Sequence, residues 1–408
     1  MMLRVFETFS GYGSQRMALR NLGIEHEVVA ISEIDKYAIK SYEAIHGKTL
    51  NLGDISKINT IDIPDHDLFT YSFPCQDISI AGKQCGLDIG SGTRSGLLWE
   101  CQKVIAIKKP KYLLLENVKN LVNTRHKDNF DKWLEWLESQ GYTNYWDVLN
   151  SKDYGIPQHR ERVFVVSILG DHTPFCFNNG FDSQVSINDI LESNNKDMIT
   201  TNAYDLSTIE IGDNVKRGNI ITYNATKFVK KRKYSVPILA LQDVLFNAKR
   251  DRNISNNDIS KKLGIKVTTV SHWFRRDNSF SIPSSDVWYD LKSLLDITTI
   301  EFDESLTTFE VVPGVYEQSN RVYDSIGLSP TLTTTLTPVI YIHSGDVIRY
   351  LTLIEYSRLM GVSDIDFNKM KKVVRTNQLR KLFGNSIVVP VLESIFKELF
   401  KERTLNDV

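Results

Sequence analysis

The chain of 408 residues contains only four cysteines, and their spacing does not fit a metal site or a disulfide framework. Cys75, Cys85, Cys101 and Cys176 include no C-x-x-C pair, so the sequence predicts neither a zinc site nor a set of disulfides. The sequence also lacks an apolar run near the roughly 20 residues of a membrane-spanning helix, and its start lacks the layout of a secretory signal. We therefore expect a cytoplasmic protein with no metal and no membrane partner.

The sequence also lacks a substantial net charge. The formal value is −1, which by itself argues against a general binder of nucleic acids. The average hides an asymmetry, because residues 213–277 contain fifteen lysines and arginines and only five aspartates. We expect this region to meet a polyanion.

Short apolar runs alternate with helical patterns through the first 170 residues. The runs lie at residues 3–9, 28–31, 68–73, 112–118 and 162–169, and the helical patterns lie at 15–22, 36–45, 97–107 and 130–137. This alternation predicts an α/β fold with a doubly wound, mostly parallel sheet, whose ligands bind at the carboxyl ends of the strands. Polar residues prevail after about residue 175, and helical patterns resume at 350–360 and 388–400. We predict a first domain at 1–175, a smaller second domain at 176–344, and a C-terminal segment at 345–408 that returns to the first domain.

A glycine-rich turn follows the first apolar run, with the sequence Phe9-Ser10-Gly11-Tyr12-Gly13. Glycines let the backbone approach a ligand closely, and the next helix offers unpaired N–H groups, although a plain tight turn has the same pattern. Glu33 follows the second run, where a carboxylate can accept hydrogen bonds from a ribose diol. Asp54 follows a predicted third strand and can accept a hydrogen bond from an adenine amino group. Together these residues predict a pocket for a cofactor that contains adenosine.

Reactive side chains end or begin three of the predicted strands. Cys75 lies at the carboxyl edge of its strand, where a thiolate can act as a nucleophile, and a buried cysteine near a turn is the simpler alternative. Glu116 ends the next strand at the same edge, where a desolvated carboxyl group needs a partner. Arg160 and Arg162 share a face if their segment is extended, so they can grip a phosphate or a base carbonyl, or form a solvated turn.

Eight motifs occur in the order seen in the cytosine-C5 DNA methyltransferases of bacteria and phages. The chain resembles this restriction-modification family along its whole length apart from residues 175–320. The motifs are Phe9-Ser10-Gly11-Tyr12-Gly13, Glu33, Gly53-Asp54-Ile55, Pro74-Cys75-Gln76, Glu116-Asn117-Val118, Gln158-His159-Arg160-Glu161-Arg162, Arg321 with Ser329-Pro330-Thr331-Leu332, and Gly384-Asn385-Ser386-Ile387.

The resemblance implies a methyltransferase fold that uses S-adenosylmethionine (SAM), with S-adenosylhomocysteine as product and no metal. Cys75 would add to C6 of a cytosine flipped out of the duplex, which turns the ring into an enamine that takes the methyl group at C5. Glu116 would hydrogen-bond ring N3 and the amino group. Arg160 would hold the carbonyl O2, and Arg162 would support it.

The resemblance also implies which residues bind the cofactor and the DNA. The SAM pocket would be formed by Phe9, Ser10, Gly11, Gly13, Glu33, Ile34, Asp54, Ile55, Pro74, Leu97, Asn385 and Ser386. The loop at residues 79–94 would close over the DNA, with contacts from Gln76, Ser79, Gln84 and Arg94. Two positions depart from the family pattern. Ile34 replaces an aromatic residue that stacks on adenine, and Ala81 replaces a polar residue that enters the gap left by the flipped base, a task that passes to Gln84 or to the second domain.

The basic region lies where relatives vary their target recognition. Residues 258–273, within a segment of about 256–277, have the pattern of a helix-turn-helix with Gly264 in the turn, and an ordinary helical hairpin is the alternative. Its expected DNA contacts are Thr268, Thr269, Ser271, His272, Arg275 and Arg276. We expect Lys230 and Lys231, in the basic stretch at 227–233, to bind phosphates, with a solvated loop as the alternative.

Two other functions share parts of this pattern. An RNA methyltransferase has the same catalytic motifs, but a helix-turn-helix suits the major groove of DNA and not the narrow major groove of A-form RNA. A DNA-binding regulator with a dead catalytic domain is disfavoured because Cys75, Glu116, Arg160 and Arg162 are intact, although promoter binding could accompany catalysis. We therefore expect a monomeric enzyme that acts on double-stranded DNA, and a restriction endonuclease that acts separately is compatible with this function.

Overall fold

The computed structural model describes residues 2–74, 94–180, 184–192, 209–217, 220–313, 322–334, 340–344 and 347–401. The chain divides into two compact units. Unit 1 comprises Met1–Tyr204, Gly212–Asn224 and Glu317–Val408, and unit 2 comprises Asp205–Ile211 and Ala225–Tyr316.

Unit 1 contains a six-stranded sheet. Its strands are β1 (Leu3–Thr8), β2 (His26–Ser32), β3 (Leu68–Tyr71), β4 (Tyr112–Val118), β5 (Tyr142–Asn150) and β7 (Glu161–Leu169), with the two-residue strand β6 (Gln158–His159) outside this sheet. The strand order is β2-β1-β3-β4-β7-β5. The pairs among β1 to β4 are parallel, whereas β7 is antiparallel to both β4 and β5.

Helices cover both faces of this sheet because the strands are apolar on both sides. Val5 and Phe6 of β1 point to opposite faces and belong to two different buried clusters. On the Val5 face lie α1 (Ser14–Asn21) and α2 (Lys36–His46). On the Phe6 face lie α3 (Leu98–Lys108) and α4 (Thr124–Ser139). The predicted doubly wound α/β fold with a mostly parallel sheet is confirmed.

Unit 2 contains a helical module with its own core. Its helices are α5 (Ile238–Asp251), α6 (Asn256–Leu263), α7 (Val267–Trp273), α8 (Ser285–Leu294) and α9 (Asp303–Thr307). Strand β8 (Ile209–Arg217) and β9 (Ile220–Arg232) precede the module, and β10 (Phe309–Pro313) follows it. β10 pairs antiparallel with the end of β9, so the module is inserted between the two strands of a hairpin.

The end of the chain belongs to unit 1. It contains β11 (Val322–Asp324), β12 (Ser329–Pro330), β13 (Tyr341–Ser344) and β14 (Val347–Tyr350), followed by α10 (Leu353–Arg358), α11 (Asp364–Val373), α12 (Thr376–Asn385) and α13 (Val389–Leu399). Helix α13 packs against α1, and its buried apolar residues join the Val5 cluster.

Within the first 170 residues, two elements differ from the sequence prediction. The strand expected before Gly53 is absent from the described residues 49–53, where a single bridge joins Asn51 to Ile31. Strand β5 was not predicted, because its exposed and half-buried residues interrupt the apolar pattern at the edge of the sheet. Among the residues that the structure describes, no helix is long and apolar enough to cross a membrane.

Candidate active site

The turn after β1 has an unusual backbone. Phe9, Gly11 and Gly13 have φ values of 52°, 57° and 84°, which lie in the left-handed region. Glycine adopts this region freely, whereas Phe9 is strained there, and such strain is common where a loop is held for a ligand. Ser10 Oγ is buried in the same turn and makes no hydrogen bond to the described residues. A buried hydroxyl without a partner can be satisfied by a polar ligand atom.

Gly13 rests directly on α2. A Cβ atom at this position would lie 2.6 Å from His46 Nε2 and 2.7 Å from Tyr42 Cε2. Tyr42 is itself fixed, because its hydroxyl donates a 2.7 Å hydrogen bond to the buried carboxyl group of Glu7. Burial raises the pKa of Glu7 to about 7, and the Tyr42 hydrogen bond partly offsets this increase. The position of the glycine turn therefore depends on rings that the core holds in place.

Gly13→Ala is expected to lower cofactor affinity by tenfold or more, because the new methyl group must displace the turn from these rings. Gly23→Ala is the matched control, since Gly23 also has a positive φ, 69°, but a Cβ there meets no atom within 4 Å. Isothermal titration of both variants with SAM measures the difference. Equal affinities in the two variants would contradict this role for Gly13.

Glu33 organises the backbone around the turn. Its Oε2 accepts a 2.9 Å hydrogen bond from Gly11 N, and its Oε1 accepts from Ile34 N and Asp35 N, both at 2.8 Å. Burial raises the pKa of Glu33, and these backbone donors oppose the increase. The predicted residue thus lies against the predicted glycine turn, and this contact brings the first two cofactor motifs together.

Asn51 connects Glu33 to the third cofactor motif, and the sequence analysis did not identify it. Its Oδ1 accepts hydrogen bonds from Glu33 N at 3.2 Å and Gly53 N at 3.0 Å, and its Nδ2 donates to Glu33 O at 3.1 Å. Ser32 Oγ adds a 2.6 Å bond to Gly53 O. The only sequence signal was an asparagine two residues before Gly53, which is typical of a local turn.

Asp54 and Ile34 lie at the surface of this region. Asp54 Oδ1 accepts hydrogen bonds from Ser56 Oγ at 2.7 Å and Ser56 N at 3.1 Å, and the Ser56 hydroxyl is the main reason that the pKa of Asp54 is lowered. The adjacent Ile55 is buried. Ile34 is 73% exposed. An exposed aliphatic side chain beside Glu33 can cover one face of an adenine ring.

The remaining cofactor residues come from distant parts of the chain. Ser386 Oγ lies 2.8 Å from Ser14 Oγ, which follows the glycine turn. Asn385 is exposed beside it. Pro74 and Leu97 are half-buried. Ser386 is thus next to the turn.

Glu116 and Arg162 form a pair at the ends of β4 and β7. Arg162 Nε lies 3.3 Å from Glu116 Oε1, and 8% of Glu116 is exposed. Burial raises the pKa of Glu116, while the positive charges of Arg162 and then Arg160 oppose this increase. A protonated carboxyl group can donate to a ring nitrogen and accept from an amino group at the same time, which a carboxylate cannot do. Glu116 is therefore suited to the N3 edge of cytosine.

Arg160 occupies a different place from the one expected for a group that holds a base. It is buried, its Nη1 donates to Leu332 O at 3.1 Å, and its Nη2 donates to Gly384 O at 3.1 Å and Ser386 O at 2.6 Å. A Cβ at Gly384 would lie 2.3 Å from Thr333 O, so the two segments touch through their backbones. Arg160 therefore joins the Ser329–Leu332 motif to the Gly384–Ile387 motif, and Arg162 is the arginine beside Glu116.

The backbone before Cys75 is anchored to the same strand as Glu116. Asn117 Nδ2 donates a 3.0 Å hydrogen bond to Phe73 O, and both groups are buried. Cys75, Gln76, Ser79, Gln84, Cys85 and Arg321 lie outside the described residues. Arg94 begins the described segment that contains α3, but its side chain is not described. The anchor at Phe73 places Pro74 at the carboxyl edge of the sheet, near the end of β4.

The predicted recognition residues of unit 2 differ in their solvent exposure. Helices α6 and α7 are joined by a turn in which Gly264 has φ 67°. Thr268, Thr269 and Arg275 are exposed, whereas Ser271 and His272 are half-buried. Lys230 and Lys231 lie in β9 and not in a loop, and their side chains are not described.

Two of the recognition residues already have partners within unit 2. Arg276 donates to Asp243 Oδ1 at 2.7 Å and lies 4.3 Å from the centre of the Phe246 ring. His272 Nδ1 lies 2.8 Å from Ser279 O. Arg275 therefore remains the better candidate for a direct contact with DNA.

The sheet order, the glycine turn and the acidic residue after β2 define a methyltransferase fold of the SAM-dependent class. Residues 3–401 match the family described as C-5 cytosine-specific DNA methylase, and the chain belongs to this family. The chain is 37% identical to the Type II methyltransferase M2.ScrFI of Lactococcus lactis subsp. cremoris, over 98% of this chain and 100% of that protein. It is 29% identical to the orphan methyltransferase M.SPRI of Bacillus phage SPR, over 97% of both.

Solved structures show the same fold at low sequence identity. The S. pombe Dnmt2 methyltransferase aligns with a TM-score of 0.58 at 17% identity, over 99% of both chains. A DNA modification methyltransferase described as putative, from an E. coli prophage, aligns with a TM-score of 0.55 at 18% identity, over 99% of this chain and 100% of that one. The prediction of an enzyme that methylates cytosine C5 in DNA is confirmed by the family, and the RNA alternative is the weaker one.

Proposed function

We propose that the enzyme flips a target cytosine out of double-stranded DNA in a sequence-specific manner and methylates it through a covalent adduct on Cys75. The observation that carries this proposal is the Glu116–Arg162 pair, which lies at the same edge of the sheet as the strand that leads to Cys75. A flipped base exposes C5, C6 and its Watson–Crick edge to these groups.

The chemistry divides among three side chains. The Cys75 thiolate forms a bond to C6, and the electron pair of the C5–C6 double bond moves to C5. Glu116 donates its proton to N3 and accepts from the amino group, which stabilises the charge that the addition places on the ring. After C5 is methylated, its proton passes to solvent and the electrons of the C5–H bond restore the C5–C6 double bond. The bond between sulfur and C6 breaks with its electrons returning to the Cys75 thiolate, and N3 returns its proton to Glu116.

Arg162 is the group that we assign to the carbonyl O2. Its Nε faces Glu116, and its Nη1 donates to Glu161 O at 2.8 Å. Its Nη2 makes no hydrogen bond to the described residues. Arg160 acts as a positioning residue, because its two Nη atoms already bind three backbone carbonyls. This division reverses the roles that the sequence suggested for the two arginines.

We also propose that the glycine turn and Glu33 hold SAM, which supplies the methyl group when it is bound. The Ser10 hydroxyl makes no hydrogen bond to the described residues, so it fits a polar atom of such a ligand. The exposed Ile34 side chain fits a flat part of the ligand. Asp54, Ile55, Pro74, Leu97, Asn385 and Ser386 complete the proposed pocket. Among the described residues, no group of three or more histidines, cysteines and acidic residues could hold a metal ion. A cytoplasmic monomer, with or without a separate endonuclease, completes the proposal.

Glu33→Ala and Asp54→Ala are each expected to weaken SAM binding by about 1–3 kcal/mol, the usual effect of removing one partner of a buried hydrogen bond. The control is Glu27→Ala, which removes an exposed carboxylate from the opposite end of β2. Isothermal titration measures affinity for SAM, and DNA binding without SAM should remain unchanged. Unchanged SAM affinity in both variants would place the pocket elsewhere.

Bisulfite sequencing of DNA from cells that express this protein tests the function directly. We expect protected cytosines at one recurring sequence, which identifies both the activity and its target. Protection scattered without any recurring sequence would overturn sequence specificity, and the absence of protection with a folded, SAM-binding protein would overturn the proposed reaction.

A further inference from the structure

The helical module of unit 2 has its own hydrophobic core. Eleven buried residues form this core, and they come from all five helices and the turns between them: Leu241, Leu245, Ile259, Val270, Trp273, Trp288, Leu291, Leu295, Ile297, Phe302 and Leu306. Its entry and exit are adjacent, because Lys233 N donates a 3.1 Å hydrogen bond to Thr308 O at the end of the β9–β10 hairpin. Such a module needs no other part of the chain to bury its apolar surface.

The charges of the module are separated along the chain. Residues 249–276 carry eight lysines and arginines and two aspartates, whereas residues 277–304 carry one lysine and seven acidic residues. A domain that only needs solubility has no reason to separate its charges in this way. The separation creates a positive potential around α6 and α7.

Internal contacts use some of these cations but leave others exposed. Arg250, Arg252, Arg276 and Lys292 form ion pairs with aspartates, and Lys249 lies 4.9 Å from the centre of the Phe274 ring. Four exposed cations form no ion pair with the described residues. These four, the basic patch, are Lys261, Lys262, Lys266 and Arg275.

We propose that the basic patch binds the phosphates of duplex DNA. Three of its members surround the turn between α6 and α7, and Arg275 follows the end of α7. The exposed hydroxyls of Thr268 and Thr269 lie between them in sequence and can donate to phosphates or base edges. Two aspartates flank the basic patch in sequence, and each accepts a local hydrogen bond. Asp277, two residues after Arg275, accepts from Ser279 N at 2.8 Å, and Asp258, three residues before Lys261, accepts from Ser255 Oγ at 2.5 Å.

The aromatic residues of the module favour duplex DNA over a single strand. Proteins that bind single strands stack bases on exposed aromatic rings. Trp273 and Trp288 are buried, and Phe274 is half-buried with Lys249 4.9 Å from its ring centre. Phe246 is 40% exposed, but Arg276 lies 4.3 Å from its ring centre. Exposed Tyr289 lies in the acidic half of the module. Near the basic patch, the described residues therefore offer mainly cations and hydroxyls, and Arg276 already occupies a face of the partly exposed Phe246 ring.

The test uses the full-length protein without SAM and a fluorescent duplex that contains only A·T pairs, so that no target cytosine contributes to binding. In Lys261→Ala/Lys262→Ala/Lys266→Ala, the dependence of log K on log salt should be shallower by about three units, with an affinity loss of roughly 100-fold at 0.1 M salt. The control Lys40→Ala/Lys132→Ala/Lys372→Ala removes the same charge from exposed positions of unit 1 and should bind as the wild type does.

Two single substitutions test which of the adjacent arginines contributes to the basic patch. Arg275→Ala should reduce the salt slope by about one unit, whereas Arg276→Ala should leave it unchanged because Arg276 already pairs with Asp243. A wild-type slope in the triple lysine variant would overturn the proposal, as would tighter binding to single-stranded DNA, to RNA or to an acidic protein than to the duplex.

This inference rests on the proposed function, and one further measurement separates the two. At saturating cytosine-containing DNA, the triple lysine variant should methylate at the wild-type maximal rate, since the basic patch touches no reacting atom. If the wild-type protein binds the A·T duplex through the basic patch but methylates nothing, the proposed reaction fails and the inference stands. If methylation is normal and the slopes are equal, only the inference fails.

Discussion

Cys75→Ser is expected to reduce the rate of C5 methylation by about 1,000-fold or more and to leave SAM affinity nearly unchanged. Loss of an attacking nucleophile commonly has effects of this size or larger, because no other group can form the bond to C6. A serine hydroxyl remains protonated at neutral pH, whereas a thiol near the edge of a sheet can ionise. Transfer of a labelled methyl group to duplex DNA measures the rate, and isothermal titration measures SAM binding.

Two observations make this result specific to Cys75. Cys176→Ser changes an exposed cysteine outside the motifs and should methylate as the wild type does, while burial keeps Cys101 protonated by raising its pKa. DNA that carries 5-fluorocytosine should trap the enzyme, because fluorine cannot leave C5 as a proton does. Peptide mass spectrometry that finds the adduct on any residue other than Cys75, or substantial methylation by Cys75→Ser, would refute the proposed mechanism.

The layers of unit 1 could be predicted because burial follows the strand and helix periods closely. β1, β2 and β4 are apolar on both faces, and only strands between two layers of helices have that pattern. β5 escaped prediction because it is the last strand of the sheet among the described residues and its side chains face solvent in part. The short segment before Gly53 looked like a strand, but its backbone is held by Asn51 and a single bridge.

The chemistry of the site was predictable from residue type, but the role and the partner of each individual side chain were not. Glu33 and Gly11 are 22 residues apart, and their order in the motifs was enough to suggest that they meet. Arg276 was expected to contact DNA because the pattern extended the second helix of the predicted helix-turn-helix to this residue, whereas α7 ends at Trp273. Its partner Asp243 lies 33 residues earlier on α5, and no local pattern reveals such a pair.

Arg160 and Arg162 show this difference most clearly, because two residues of one motif have separate tasks. Their spacing suggested a shared face, but Arg160 lies between β6 and β7 and turns inward to carbonyls from segments more than 170 residues away. Arg162 is paired across the strands with Val118, close to Glu116. Arg160 therefore holds together the segments that form the site, and Arg162 contacts Glu116, the carboxyl group proposed to bind the base.

Arg160→Ala is expected to destabilise the protein by roughly 3–5 kcal/mol, because three backbone carbonyls lose their donor. Arg162→Ala should fold normally but lose about 10²–10³-fold in maximal rate, as expected when a group that stabilises developing charge is removed. Thermal unfolding and steady-state methylation, measured on both variants, separate the two effects. Arg160→Lys should remain unstable, since a single ammonium group cannot reach the three carbonyls with the geometry of a planar fork.

The pH dependence provides a test that a purely structural role for Arg162 would not pass. Arg162 lowers the pKa of Glu116 against the effect of burial, so its removal raises that pKa further. The active form of Glu116 is protonated, and activity is therefore lost as pH rises through its pKa. The alkaline limb of the rate profile should consequently move to higher pH in Arg162→Ala and stay near its wild-type position in Arg162→Lys, which keeps the positive charge. If the limb does not move in Arg162→Ala, or if Arg160→Ala retains full stability and loses only rate, the roles of the two arginines are the reverse of those proposed.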